Sequence, residues 1–268
     1  MKSSGTPTCG ISRQRIRRKL IFFLMLAFPL TFNYYSPVLP IMGTLGGVVS
    51  FSLLFWCLWF LASLVLGRAG CGWFCPLGGL QELYDRIVDK PLKRVARLGW
   101  LRFILCLLWL AGITLALAKA GFWRRVDLLY MTEHLVSWDR LEGSYIYVGM
   151  FGLVLLFSGF TGRRGFCYYF CWYAPLNMAG NRLAGWCKLP RLHLDRSKKP
   201  CRGCGHCTSV CPMSLPVAEM VRAYNLQHPE CILCGSCCDI CTESCISFSW
   251  RQIGMRRHEE RSVKRGIR

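Results

Sequence analysis

Cys201-Arg202-Gly203-Cys204-Gly205-His206-Cys207-Thr208-Ser209-Val210-Cys211-Pro212 and Cys231-Ile232-Leu233-Cys234-Gly235-Ser236-Cys237-Cys238-Asp239-Ile240-Cys241 decide how the last third of this chain folds. Both runs space their cysteines by two, two and three residues. A loop with two-residue gaps wraps three thiolates around one face of a cubane 4Fe–4S cluster. The fourth, beyond the longer gap, points away and serves a neighbouring cluster. The spacing predicts a two-cluster, bacterial ferredoxin-like α+β domain over residues 188–250. Cys201, Cys204, Cys207 and Cys241 are expected on one cluster, and Cys231, Cys234, Cys237 and Cys211 on the other. Structural zinc is the competing reading, but zinc sites use two C-x2-C pairs on a longer loop, and two complete four-cysteine runs fit that poorly. Thr242 stands where the second run would carry a proline, which leaves the ligand spacing intact. Gly203, Gly205 and Gly235 allow the backbone to approach cluster sulfurs closely.

The chain has 18 cysteines. Cys238 and Cys245 read as spare thiols packed beside a cluster, with a ligand swap as the alternative, and Cys245 falls where a following helix would begin. Cys57 and Cys106 lie in apolar stretches, where a thiol behaves as a small apolar side chain. Cys9 and Cys187 have no partner spacing. In a reducing compartment these patterns point to cluster ligation rather than disulfides.

Upstream, the 268-residue chain is 53% hydrophobic and yet carries a formal net charge of +20. Four stretches read as transmembrane helices, near Leu20–Met42, Leu45–Gly67, Gly99–Ala118 and Tyr145–Gly162. Such spans separate the chain from basic nucleic-acid binders. Pro29, Asn33, Pro37 and Pro40 interrupt the first span, which is expected to kink and pack inward. Its apolar run is longer than a signal-peptide core, so it reads as an anchor. Lys and Arg crowd the N-terminal tail, the loop after the second span and the chain after the fourth. Both termini are therefore expected in the cytoplasm. The expected division is a basic tail over 1–19, a four-helix membrane domain over 20–187, the ferredoxin domain over 188–250 and a second basic tail over 251–268. That last tail, with Arg256, Arg257, Arg261, Lys264 and Arg265, reads as an anionic-lipid contact, an acidic-partner dock or a solvated end. No histidine lies in the spans, so haem held by paired histidines within them is not expected.

The membrane half repeats itself loosely. Gly67-Arg68-Ala69-Gly70-Cys71-Gly72-Trp73-Phe74-Cys75-Pro76-Leu77 matches Gly162-Arg163-Arg164-Gly165-Phe166-Cys167-Tyr168-Tyr169-Phe170-Cys171, which reaches Pro175-Leu176 four residues later. Each copy follows two spans and carries one C-x3-C pair. A pseudo-symmetric repeat would bring Cys71, Cys75, Cys167 and Cys171 together. Four such thiols suit a third cluster, another metal or an exchangeable dithiol pair. The alternative is separate thiols in tight turns.

Together, the spans, the two C-x3-C pairs and the tandem ferredoxin motifs resemble the NapH/MauN-type membrane ferredoxins, and the membrane core of the regulator NosR is similar. The likeness runs from about Leu20 to Phe248. It implies a multi-pass protein of a bacterial inner membrane that passes electrons from quinol towards a partner oxidoreductase or ferredoxin-type protein, as a quinol dehydrogenase subunit would. It also implies the eight ferredoxin cysteines as cluster ligands and the two C-x3-C pairs as redox-associated. Trp172-Tyr173-Ala174 separates the second pair from its proline, a departure from the pattern. No outer flavin-binding domain of the NosR kind is expected. Two other classes stay open: an assembly or metal-reducing factor for a respiratory metalloenzyme, and a membrane redox sensor. No dinucleotide fingerprint or P-loop is present, and no nucleic-acid partner is expected. Glu133 and His134 are candidates for handling protons, against the plainer reading of Val126–Leu141 as an amphipathic surface segment.

Overall fold

The computed structural model describes residues 8–95, 97–131, 141–197 and 199–251. Glu133, His134 and the basic residues from Arg256 onward lie outside them, as does the Cys9 side chain. The proline-rich first stretch is broken into three helices: α1 (Thr8–Leu26), α2 (Phe28–Tyr35) and α3 (Val38–Leu45). Pro29 sits in the first turn of α2 and Pro37 caps α3, where a missing N–H costs nothing. The second apolar stretch does not run as one helix from Leu45. Gly46 and Gly47 stop α3, with Gly47 at φ +65°, and β1 (Val48–Ser50) intervenes. Helix α4 (Phe51–Leu66) then starts on the Ser50 hydroxyl, which accepts from the Leu53 amide.

Short helices α5 (Ala69–Trp73) and α6 (Pro76–Tyr84) carry the first C-x3-C pair. A 3-10 turn at Leu98–Trp100 enters α7 (Leu101–Ala120), and β2 (Arg125–Asp127) pairs in parallel with β1, Val48 opposite Arg125. Then come α8 (Leu141–Thr161), α9 (Gly165–Tyr169) and α10 (Ala174–Trp186). The two halves thus repeat an apolar helix, a glycine at positive φ (Gly67 +55°, Gly162 +89°), a one-turn cysteine helix and a longer amphipathic helix. Among the described residues one helix, Leu98–Ala120 with mean hydropathy 2.2, is long and apolar enough to cross a membrane. Phe51–Leu66 and Val148–Thr161 are shorter apolar helices.

The last third is a compact α+β unit. Strand β3 (Arg191–Arg196) pairs antiparallel with β4 (Ile246–Arg251), Leu194 opposite Phe248. Between them lie α11 (His206–Ser209), α12 (Val217–Arg222) and α13 (Ser236–Ile240). No helix begins at Cys245: the residue precedes β4, because Ile246, Phe248 and Trp250 alternate with serines as a half-buried strand does. Met213, Leu215, Val221, Leu226 and Ile232 form a core around the cysteines, and Cys71 and Trp73 of the first half pack against it.

Candidate metal centres

The two ferredoxin loops share one backbone design. Left-handed φ values recur at Gly203 and Leu233, at Gly205 and Gly235, and at Ser214 and Ser244. Gly205 and Gly235 each precede a short helix whose next residues include the buried third cysteine, Cys207 or Cys237. One cavity of about 190 Å³ is lined by Cys201, Cys204, Cys207 and Cys241, with Cys245 beside them. A tighter one, about 20 Å³, is lined by Cys211, Cys231, Cys234 and Cys237 under Leu194, Met213 and Leu215. Each cavity takes three cysteines from one run and the fourth from the other. Burial pushes the Cys211 thiol up to about 11, and raises Cys231 and Cys234 in the same direction. Such thiols release protons when they bind iron. Cys245 donates its thiol to the Pro200 carbonyl at 3.1 Å, and its amide points to Cys241 Sγ at 3.3 Å. Two four-thiol sites, the tighter one buried under apolar side chains and the wider one open at Cys204, fit iron–sulfur clusters.

The two C-x3-C pairs also come together. Gln81 on α6 donates to Cys167 Sγ at 3.1 Å, and Asn177 on α10 donates to Cys71 Sγ at 3.4 Å. Burial pushes Cys75 up to about 12, with Cys167 and Cys71 adding repulsion and Arg164 opposing it. Cys171 is raised by burial and then by Cys167, Cys71 and Cys75. Among the described residues no three Cys, His, Asp or Glu side chains are close enough to hold a single metal ion, in these turns or in the ferredoxin loops.

A belt of buried arginines ties the two regions together. Arg17 and Arg164, each 1% exposed, both hold Glu82, at 2.9 and 3.0 Å. Arg68 and Arg102 both hold Glu230, at 3.1 and 3.0 Å. Burial alone would raise either carboxyl, but the paired guanidiniums keep both below the usual range. Arg17 also donates to the Gly72 carbonyl, Trp73 Nε1 to the Leu233 carbonyl and Gln14 to the Cys234 carbonyl. The first C-x3-C turn thus lies directly on the loop of the tighter cavity. Sequence reading missed these residues because it counted Arg17 and Arg68 as charges on a cytoplasmic face. The available signal was register: an arginine stands three positions before Cys71 and before Cys167.

Fold and sites define a ferredoxin-type 4Fe–4S protein. A family model described as a 4Fe-4S binding domain matches residues 49–94 and 145–187, one match per half of the repeat. An uncharacterized protein of Methanocaldococcus jannaschii is 30% identical over 70% of this chain and 74% of its own length. The methylamine utilization ferredoxin-type protein MauN of Methylobacillus flagellatus is 29% identical over 68% of this chain and 62% of its own. The ferredoxin-type protein NapH of Escherichia coli is 23% identical over 80% and 70%. The chain belongs to the NapH/MauN-type ferredoxin family. No solved structure matches it.

Proposed function

We propose that this chain is a multi-pass membrane protein that carries electrons between the quinone pool and a partner oxidoreductase. The crossed lining of the two ferredoxin cavities carries the reading. Cys201, Cys204, Cys207 and Cys241 would hold one 4Fe–4S cluster, and Cys231, Cys234, Cys237 and Cys211 the other. When bound, such clusters supply one-electron chemistry. The chain's own part is to exclude water with Met213, Leu215 and Leu194, and to fix the spacing of the two sites through the crossing itself. The Cys71–Cys75 and Cys167–Cys171 turns would provide a further redox or metal site between the ferredoxin unit and the membrane. The names of MauN and NapH, both ferredoxin-type proteins, support the electron-transfer reading. Residues 20–187 would form the membrane domain and 188–250 the ferredoxin domain, with both termini cytoplasmic. Exposed Ile104, Leu107, Leu108 and Leu115 on α7, and Leu58 and Leu61 on α4, support a lipid-facing surface there.

The test is anaerobic purification in detergent, followed by EPR with and without a reduced menaquinol analogue. Cluster signals appearing on quinol addition support the carrier. Clusters that reduce with dithionite and never with quinol overturn the quinol reading and favour an assembly or metal-reducing factor. Cys211→Ser is expected to remove the cluster of the Cys231 run and to leave that of the Cys201 run, the reverse of what an uncrossed pairing gives.

A further inference from the structure

We propose that the two C-x3-C pairs build one site, shared between the halves of the chain, that holds a third iron–sulfur cluster in a cradle of Arg68, Arg164, Gln81 and Asn177. This deepens the electron-transfer reading above and rests on it. Either family match contains a single cysteine pair, so neither half alone supplies the four thiolates of a cluster.

The first argument is register. Arg68 stands three residues before Cys71, and Arg164 three before Cys167; Gln81 stands ten after Cys71, and Asn177 ten after Cys167. The two carboxamides then cross. Gln81 of the first half donates to Cys167 of the second, and Asn177 of the second donates to Cys71 of the first. Gln81 also donates to the Leu77 carbonyl of its own helix, but a side chain that merely stabilised its own turn would not reach across as well. A crossed pair at matched positions is what a pseudo-two-fold site requires.

The second argument is charge. Arg17, Arg68, Arg102 and Arg164 are each 5% exposed or less, and among the described residues the carboxylates they pair with are Glu82 and Glu230. Four buried positive charges against two negative leave a surplus of two. Asp85, half-buried, feels Arg164 but makes no ion pair with any of the four. An unbalanced buried charge is costly. Neutral thiols or two disulfides would leave the surplus standing. An iron–sulfur core of charge about +2 with four thiolates carries about −2 and cancels it.

The third argument is hydrogen bonding. The Nε–H groups of Arg68 and Arg164 are among the buried side-chain donors that find no partner among the described residues. The two Nε–H donors occupy equivalent positions in the two halves, and cluster or cysteinyl sulfur is an acceptor suited to both.

The experiment is iron and acid-labile sulfide quantitation with redox-titrated EPR on the full chain, purified anaerobically in detergent. About twelve irons, or about ten for a two-iron cluster, are expected in the unaltered chain. The double variant Cys71→Ser/Cys167→Ser should lose the excess over about eight and keep the ferredoxin signals. An unaltered chain with about eight irons, or with zinc in place of the excess, overturns the proposal without recourse to any variant. Gln81→Leu/Asn177→Leu should keep the iron and move the third signal to more negative potential, leaving the other two in place. Iron that stays while no potential moves overturns the cradle. Quinol reduction is read separately: a third cluster that quinol never reduces sinks only the carrier reading, and eight irons that quinol does reduce sink only the third site.

Discussion

At Gly72 the first C-x3-C turn packs tightly on the ferredoxin unit. A Cβ built there would lie 2.3 Å from the Ile232 carbonyl oxygen, with the backbone fixed on both sides. Gly72→Ala is therefore expected to cost about 1–3 kcal/mol and to perturb the cluster of the Cys231 run before the other. Thermal unfolding in detergent with parallel EPR reads both effects. Asp85 is one residue through which stability is expected to depend on pH. Burial, with Glu82 and Asp89 adding to it, raises its carboxyl from 3.8 to about 7, against the pull of Arg164 and Arg163. The folded chain then keeps a proton that the unfolded chain has already lost. That contribution is complete below about pH 4 and disappears as pH rises to about 7. Asp85→Asn should flatten the fall in melting temperature across this window; an unchanged slope would assign it to another group. At this scale the grouping of the eight ferredoxin cysteines was legible in sequence, since their spacing is what brings them to two cavities. The arginines were not, since a guanidinium buried against Glu82 or Glu230 has the same letter as one in solvent.

Elements were legible where one rule dominated. Pro29 and Pro37 broke the first stretch, and Pro76 opened α6. The start of α4 was not, because an apolar run such as Leu45–Gly67 does not reveal that Gly47 ends one helix and that Val48–Ser50 pairs with Arg125–Asp127, far along the chain. The pairing of α7 with the ferredoxin unit was hidden as well. Arg102, in the first turn of α7, reaches Glu230, which Arg68 also holds from the α5 side. Glu230→Gln would leave both guanidiniums buried without a carboxylate, at a cost of about 3–5 kcal/mol. Limited proteolysis of the full chain in micelles is expected to cut near residues 188–200 in this variant sooner than in the unaltered chain. Equal rates would mean that the α7 contact does not hold the unit down.

For the molecule as a whole, the repeat and the ferredoxin unit could both be read from cysteine spacing, while their mutual packing could not, since it depends on pairs such as Arg17 with Glu82 and Gln14 with the Cys234 carbonyl. Orientation belongs to this scale. Single cysteines introduced near residues 16 and 186 of a chain lacking Cys57 and Cys187, with the cluster cysteines kept, should react with a membrane-impermeant maleimide only after the cytoplasmic face is opened. Labelling of intact cells at either position would reverse the assignment. The contacts of α1 have a further consequence, for the order in which the protein is made. Arg13 and Gln14 bond to Asp239, and the Arg13 pair spans 226 positions of the chain. Helix α1 is therefore completed by a segment made 226 residues after Arg13. Until then Arg17 can already hold Glu82, but Arg13 and Gln14 lack Asp239, and a chain that stops before it cannot complete this contact. Docking of α1 is therefore expected to finish only after the second cysteine run has been made and folded, however early the helix itself forms.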